Sequence, residues 1–236
     1  PQMMNDTISA TLCAEIDGIT YTGEVFEYKV TSYIYSMLGS SANTEFRTLL
    51  VDMLRYGAAA QVYMKHNVDN LADSKLTDEQ ASWGTSALRE LKTVKSIPSK
   101  AENDSAKWVG MTLFLENKVA IRGYFDVNES EGVVVKVTDT NNNVLATLTE
   151  DIFEEVTGPE GTPVKTFLFE DLDVSQMSKT VCFTVCDSEG NELGGTAVYS
   201  IESYVYSMQN STNTELVELV EAMMMYGDSA YAYVTQ

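Results

Sequence analysis

Two stretches of this chain share one pattern, and that pattern decides the fold. Residues 28–64 read YKVTSYIYSMLGSSANTEFRTLLVDMLRYGAAAQVYM, and residues 199–234 read YSIESYVYSMQNSTNTELVELVEAMMMYGDSAYAYV. A single one-residue gap, in the loop after the first helix, aligns them and brings Tyr56 opposite Tyr226. An internal repeat of this length indicates a supersecondary unit that occurs twice.

The repeat predicts a strand followed by two helices in each copy. The match extends upstream, where TISATLC ending at Cys13 aligns with TVCFTVC ending at Cys186. After the strands of the first copy, apolar and tyrosine side chains recur at helical spacing at Val30, Tyr33, Ile34 and Met37. This periodicity predicts a short amphipathic helix.

The second helix of each copy is predicted from its cap and its apolar stripe. Asn43 is a good N-cap, and Glu45 lies in the first turn, where the helix dipole favours an acid. The stripe of the first copy is Phe46, Leu49, Leu50, Met53, Leu54 and Gly57. The glycine recurs as Gly227, which indicates a close approach of backbones, and we expect the preceding helix to be the neighbour.

Between the two copies the hydrophobic period changes to two. Seven strands are predicted, at residues 108–116, 119–126, 133–138, 144–148, 164–169, 180–187 and 196–200. The loop 139–143 is rich in residues that tolerate positive φ. Strands and turns at this spacing predict an immunoglobulin-like β-sandwich.

These elements predict an α+β or mainly β chain: an immunoglobulin-like sandwich with an appended two-helix unit, the strand-plus-helix-pair element occurring twice. We expect a partial unit at residues 1–66, a linker at 67–107 and the sandwich with a helix pair at 108–236. In the linker, Thr77 and Gln80 form a capping-box pattern for a helix at Asp78–Leu91. The first copy is either an abbreviated unit or part of a longer repeat array.

Composition excludes several classes of partner. The formal charge is −20, which opposes binding to nucleic acid or to an anionic membrane surface. No apolar run is long enough to span a bilayer. No signal peptide is visible, and the start at Pro1 is compatible with removal of one. Three cysteines are too few for a disulfide framework, and strand geometry keeps Cys182 and Cys186 too far apart to bridge.

The chain offers few candidates for chemistry. The single histidine, His66, lies at a helix end, where the helix dipole accounts for it, and no pair of carboxylates is singled out, so we expect no enzyme and no catalytic residue. For Trp83 and Trp108 we expect packing in the core or at a domain interface; the alternative is carbohydrate stacking on either ring. Asp126, Asn128 and Ser130 have the alternating spacing of a calcium loop, but the glycine and glutamate that an EF-hand requires are missing. We expect no cofactor, with calcium as the weak alternative.

The pattern Y-x-V-x-x-Y-x-Y-S-M, followed by M-L-x-Y-G-A-A-A-Q-x-Y, resembles repeats in large secreted or surface-attached proteins of gut Firmicutes. LTDEQ at 76–80 and LFLENKVAIRGYF at 113–125 also resemble that family. The second copy departs from the pattern with Asp228-Ser229 in place of Ala58-Ala59.

The resemblance implies an extracellular or cell-surface module that accompanies adhesion, leucine-rich-repeat or carbohydrate-active domains, and it supplies no catalytic residues. We therefore expect a non-enzymatic spacer or protein-interaction unit with a protein partner. The alternative is a carbohydrate-binding module of a glycan-utilisation protein.

Overall fold

The computed structural model describes residues 1–116, 118–127, 132–158 and 161–236. In those residues it is a mixed α/β structure with ten strands in three antiparallel sheets and five α-helices. The strands are β1 (Ile8–Ile16), β2 (Ile19–Tyr28), β3 (Ala106–Phe114), β4 (Ala120–Val127), β5 (Val134–Thr138), β6 (Val144–Leu148), β7 (Glu154–Thr157), β8 (Pro163–Phe169), β9 (Val181–Cys186) and β10 (Ala197–Tyr199). The helices are α1 (Val30–Ser40), α2 (Thr44–Met64), α3 (Asp78–Ala81), α4 (Ile201–Met208) and α5 (Thr214–Val234).

The chain divides into two compact units. Unit one combines residues 1–89 with 211–236, and unit two comprises residues 90–210. These units differ from the predicted boundaries at 66 and 107, because α5 packs with α2 whereas α4 belongs with the strands of unit two. No helix in the described part of the chain combines the length and apolar character needed to cross a membrane.

Unit one contains a β-hairpin that follows its N-terminal segment. Strands β1 and β2 pair antiparallel with each other as a two-stranded sheet. Asp17 and Gly18 connect them with φ of 51° and 74°. Two consecutive positive φ values are typical of the type I′ turn, whose twist matches that of the flanking strands, and Asp-Gly suits it.

Helices α2 and α5 both contain 21 residues, and both begin as the repeat predicts. The Asn43 side chain accepts a hydrogen bond from the Phe46 amide at 2.6 Å, and Asn213 does the same for Leu216 at 3.1 Å. The predicted Asn43 cap is confirmed. Each side chain satisfies an amide that the first helical turn leaves without a partner.

The two long helices pack against each other antiparallel. Phe46, near the start of α2, lies 5.3 Å from Tyr233, near the end of α5, measured between ring centroids. In the middle, the rings of Tyr56 and Tyr226 stack at 5.8 Å. At the other end, Lys65 forms an ion pair with Glu215.

The glycine of the α2 stripe makes a close approach, but not to the preceding helix. A Cβ on Gly57 would lie 2.6 Å from the Met4 sulfur and 3.2 Å from the Ala72 Cβ. Met4 and Ala72 belong to the buried cluster that covers α1 and α2. The expectation that Gly57 meets the first helix is therefore wrong: the N-terminal segment and the loop after α2 occupy that place.

The capping box at Thr77 and Gln80 is confirmed, but the helix after it is much shorter than predicted. Helix α3 ends at Ala81 instead of Leu91. Side chains of α2 hold the following backbone in an irregular path: Arg55 donates to the carbonyls of Ala81 and Thr85 at 2.8 Å, and the buried Asp52 accepts from the Thr85 amide at 2.9 Å. These tertiary hydrogen bonds outweigh the local helix propensity.

Unit two contains two four-stranded sheets, ordered β3-β4-β8-β7 and β10-β9-β5-β6. Phe167 and Phe169 of the first sheet each lie 5.7 Å from Phe183 of the second, and all three rings are buried. This arrangement is compatible with a β-sandwich. The seven predicted strands are confirmed with ends shifted by at most two residues, and β7 is an additional strand that the sequence analysis missed.

The α2–α5 contact predicts a position-specific loss of stability. Tyr56→Ala removes a buried ring that stacks on Tyr226, so we expect about 2–4 kcal/mol less unfolding free energy, measured by urea denaturation with helical circular dichroism. Tyr231→Ala, which removes an exposed ring from α5, should cost no more than about 0.5 kcal/mol. Equal losses in the two variants would show that the stacked pair does not stabilise the helices.

Candidate functional site

Trp108 is a core residue rather than a ligand platform. Its ring is 5% exposed and lies 5.9 Å from Phe125 and 6.2 Å from Phe167, between centroids. Its indole nitrogen donates to the Gly195 carbonyl at 2.8 Å. A sugar ring cannot stack on a face that apolar side chains already cover, so the structure speaks against the alternative of carbohydrate stacking at Trp108.

Trp83 is half-buried, and one of its faces is covered. The Arg47 guanidinium lies over the ring at 4.4 Å from its centroid. The tryptophan carbonyl accepts a hydrogen bond from the Thr48 hydroxyl at 2.8 Å, and the ring packs on the buried cluster of α1 and α2. Through these contacts, Trp83 holds the segment that follows α3 against α2.

The proposed calcium ligands are not brought together by anything the structure describes. Asp126 is an exposed residue in β4, and its register partner in β3 is Lys107. Asn128 and Ser130 lie outside the described residues. Within the described ranges, no group of three His, Cys, Asp or Glu side chains could hold a metal ion.

The polar loop 139–143 uses its carboxylate internally. Asp139 accepts from the amides of Asn141 and Asn143 at 2.8 and 2.9 Å, and from the Asn143 side chain at 2.8 Å. The hydrogen bond from the Asn143 side chain is the main cause that lowers the Asp139 pKa below its ordinary value. These bonds occupy both carboxylate oxygens and define a turn.

The loop after β9 has the same construction. Asp187 accepts from the amides of Glu189 and Asn191 at 2.9 Å and from the Asn191 side chain at 2.9 Å. The Asn191 side chain is again the main cause of a lowered pKa at the aspartate. The spacing Asp-x-x-x-Asn therefore forms the same hydrogen-bonded turn in two hairpins of unit two, and this spacing can be read from the sequence.

His66 has a structural role at the end of α2. Its ring nitrogen Nε2 lies 2.9 Å from an Asp6 carboxylate oxygen, and its backbone amide donates to the Gln61 carbonyl at 2.9 Å. Lys65 before it adopts the left-handed conformation with φ of 55°, which terminates the helix. The histidine therefore links the N-terminal segment to the helix end.

The three thiols are free and have different environments. Cys13 is exposed in β1, Cys182 is half-buried in β9 and Cys186 is buried at the end of that strand. Burial raises the pKa of both thiols in β9, which reduces the fraction present as reactive thiolate.

The most unusual surface of the described chain is the β1–β2 hairpin. Every residue of both strands is exposed. Cross-strand pairing brings Ile8 beside Tyr28, and Ile16 beside Ile19, on the same face of the hairpin. This face, called the hairpin face below, carries the large exposed side chains Ile8, Leu12, Ile16, Ile19, Tyr21, Phe26 and Tyr28.

The hairpin face is the candidate functional site. Soluble proteins rarely leave a continuous apolar surface of this kind uncovered, and such surfaces mark interaction sites or aggregation hazards. The sequence analysis did not predict this site. The signal that could have found it is the alignment of β1 with β9, which shows that the two strands share one sequence pattern. No protein-family model, curated protein or solved structure matches this chain.

The environments of the thiols predict an order of alkylation. In the folded protein without reductant, iodoacetamide should modify Cys13 first, because Cys182 and Cys186 are sheltered and their pKa values are raised. After denaturation, mass spectrometry should show all three cysteines modified. A Cys182–Cys186 disulfide would contradict both the free thiols and the strand that separates them.

The two aspartate turns predict a pH dependence. Because their folded pKa values lie below the ordinary value of 3.8, their charged hydrogen bonds stabilise the fold above that pH and are lost as the pH falls below it. The double variant Asp139→Asn/Asp187→Asn should be less stable than the natural protein near neutral pH, and the difference should shrink in acid. Urea denaturation across the pH range measures this, and a constant difference would contradict it.

Proposed function

We propose that this chain is a non-enzymatic module of an extracellular or cell-surface protein, where it serves as a spacer whose protein-interaction site is the hairpin face. The observation that carries the proposal is the exposure of that apolar face in an otherwise well-packed chain. The acidic charge of −20 keeps such a module soluble and away from nucleic acid.

The proposal includes an immunoglobulin-like identity for unit two, and strand order supports it. If β3 to β10 are labelled A, B, C, C′, D, E, F and G in chain order, the sheets become A-B-E-D and G-F-C-C′. That is the order of the immunoglobulin sandwich. Domains of this class commonly serve as structural and adhesive modules, which is an argument by analogy of fold.

The proposal also includes a repeated unit, and the helix pair supports it. Tyr56 of α2 stacks on Tyr226 of α5, and these tyrosines hold equivalent places in the two copies. Equivalent residues that meet across an antiparallel contact have the geometry of a two-fold interface. In a spacer, an interface of this kind would hold the two copies of the repeat together, because Tyr56 and Tyr226 are far apart in sequence.

The carbohydrate-binding alternative loses its best residues. Trp108 is buried, and Arg47 covers one face of Trp83. Neither ring offers the open platform that sugar stacking requires. We therefore do not advance this alternative.

Two assays on the natural chain test the proposal. An array of glycans should show no specific binding, and a dye that reports exposed apolar surface should bind the folded protein. The dye signal should fall in the Leu12→Lys/Phe26→Lys variant, whose substitutions lie on the hairpin face, and should persist in Val144→Lys, which alters an exposed residue of unit two. Glycan binding that disappears in Trp83→Ala, or turnover of a glycan or peptide, would overturn the proposal.

A further inference from the structure

Equivalent positions of the repeat have opposite environments in the two units. Leu12 is 78% exposed, whereas Val185, its counterpart in β9, is 1% exposed. Tyr28 is 50% exposed, whereas Tyr199, its counterpart in β10, is 1% exposed. The same sequence pattern therefore forms a covered pair of strands in unit two and an uncovered pair in unit one.

Unit two shows what covers such a pair. Strand β5 pairs antiparallel with β9 along the edge opposite β10, from Val134 beside Cys186 to Thr138 beside Cys182. The rings of Phe167 and Phe169, from the other sheet, cover Phe183 at the middle of β9. An edge strand and an apolar sheet together complete the burial.

The hairpin of unit one lacks both forms of cover within the described residues. Strand β1 pairs with β2 alone, so the backbone groups along its other edge have no strand beside them. The hairpin face has no sheet over it. A lone two-stranded hairpin is marginally stable in water, and a long free edge invites pairing with another strand.

We infer that the β1–β2 hairpin is a docking site for the complementary part of an immunoglobulin-like sandwich, in which one strand pairs antiparallel with β1 and an apolar sheet covers the hairpin face. The inference rests on the proposed function and names its partner. The partner has the chemistry of strands β3 to β8 of this chain and belongs to another repeat unit. Recognition is by β-strand addition, with main-chain hydrogen bonds along the edge and side chains packed on the face.

The repeat alignment gives a register for the partner strand. Cys13 is equivalent to Cys186, and Ser9 to Cys182. A partner strand with the sequence of β5 would therefore place its equivalent of Val134 beside Cys13 and its equivalent of Thr138 beside Ser9. Two hairpins packed face to face would bury the same side chains but leave both β1 edges unpaired, so a second copy of the hairpin fits less well.

A fusion protein tests the inference. Residues 90–178, which carry strands β3 to β8, are joined through a flexible glycine-serine linker ahead of the complete chain. The added segment contains no cysteine, so Cys13, Cys182 and Cys186 remain the only thiols. The natural unit two is the positive control, because Cys186, the counterpart of Cys13, is buried there and lies beside Val134 of β5.

We expect the fusion to slow alkylation of Cys13 by at least about tenfold and to protect the amides of β1 and β2 from hydrogen exchange. The matched control is the same fusion with Leu12→Lys, which buries a charge and should return Cys13 to its original reactivity. In the chain without the fusion, Leu12→Lys should leave helical content and unfolding unchanged, because that side chain is exposed.

Unchanged Cys13 reactivity and unprotected β1 amides in the fusion would overturn the inference. So would a dimer of the natural chain in which the hairpin amides are protected, because the occupant would then be a second copy. Glycan binding and turnover are measured on the natural chain, so failure of the proposed function is seen separately. A negative result with the fusion therefore contradicts only the partner inferred here. The spacer role is tested separately, by the glycan-binding and turnover assays on the natural chain.

Discussion

The antiparallel contact between α2 and α5 is the interaction on which unit one depends. It brings residues 211–236 back to residues 1–89 and closes a loop that contains all of unit two. The entropy cost of closing a long loop grows only slowly with its length, so a two-helix contact with aromatic packing along it can offset that cost. Tyr56 and Tyr226 lie at its centre, with Phe46 and Tyr233 at one end.

The β1–β2 hairpin differs from the α2–α5 contact, because its two strands are neighbours in sequence and none of their residues is buried. Its type I′ turn and antiparallel register define the strands, but the apolar side chains remain in water. In unit two, equivalent strands gain their stability from a neighbouring strand and an opposing sheet. The difference between the two environments, more than any single residue, supports the interaction role proposed for the hairpin face.

Much of the architecture could be predicted because it depends on local patterns. Period-two alternation predicted seven strands of unit two, and the Asn43 cap and apolar stripe predicted α2. The predictions failed where tertiary contacts decide: Asp52 and Arg55 end α3 early, and Met4 occupies the space beside Gly57. Burial of Trp108 and Arg47 stacking on Trp83 depend on the fold around them, so no spacing in the sequence could predict these contacts.

The central claim is that α2 and α5, whose sequences align with each other, stabilise each other directly. A double-mutant cycle of Tyr56→Ala and Tyr226→Ala measures that contact, because it removes the effects that each substitution has by itself. The stacked rings at 5.8 Å predict a coupling of about 0.5–1.5 kcal/mol between the two sites. A coupling indistinguishable from zero, with both single variants destabilised, would show that α2 and α5 do not meet through these residues.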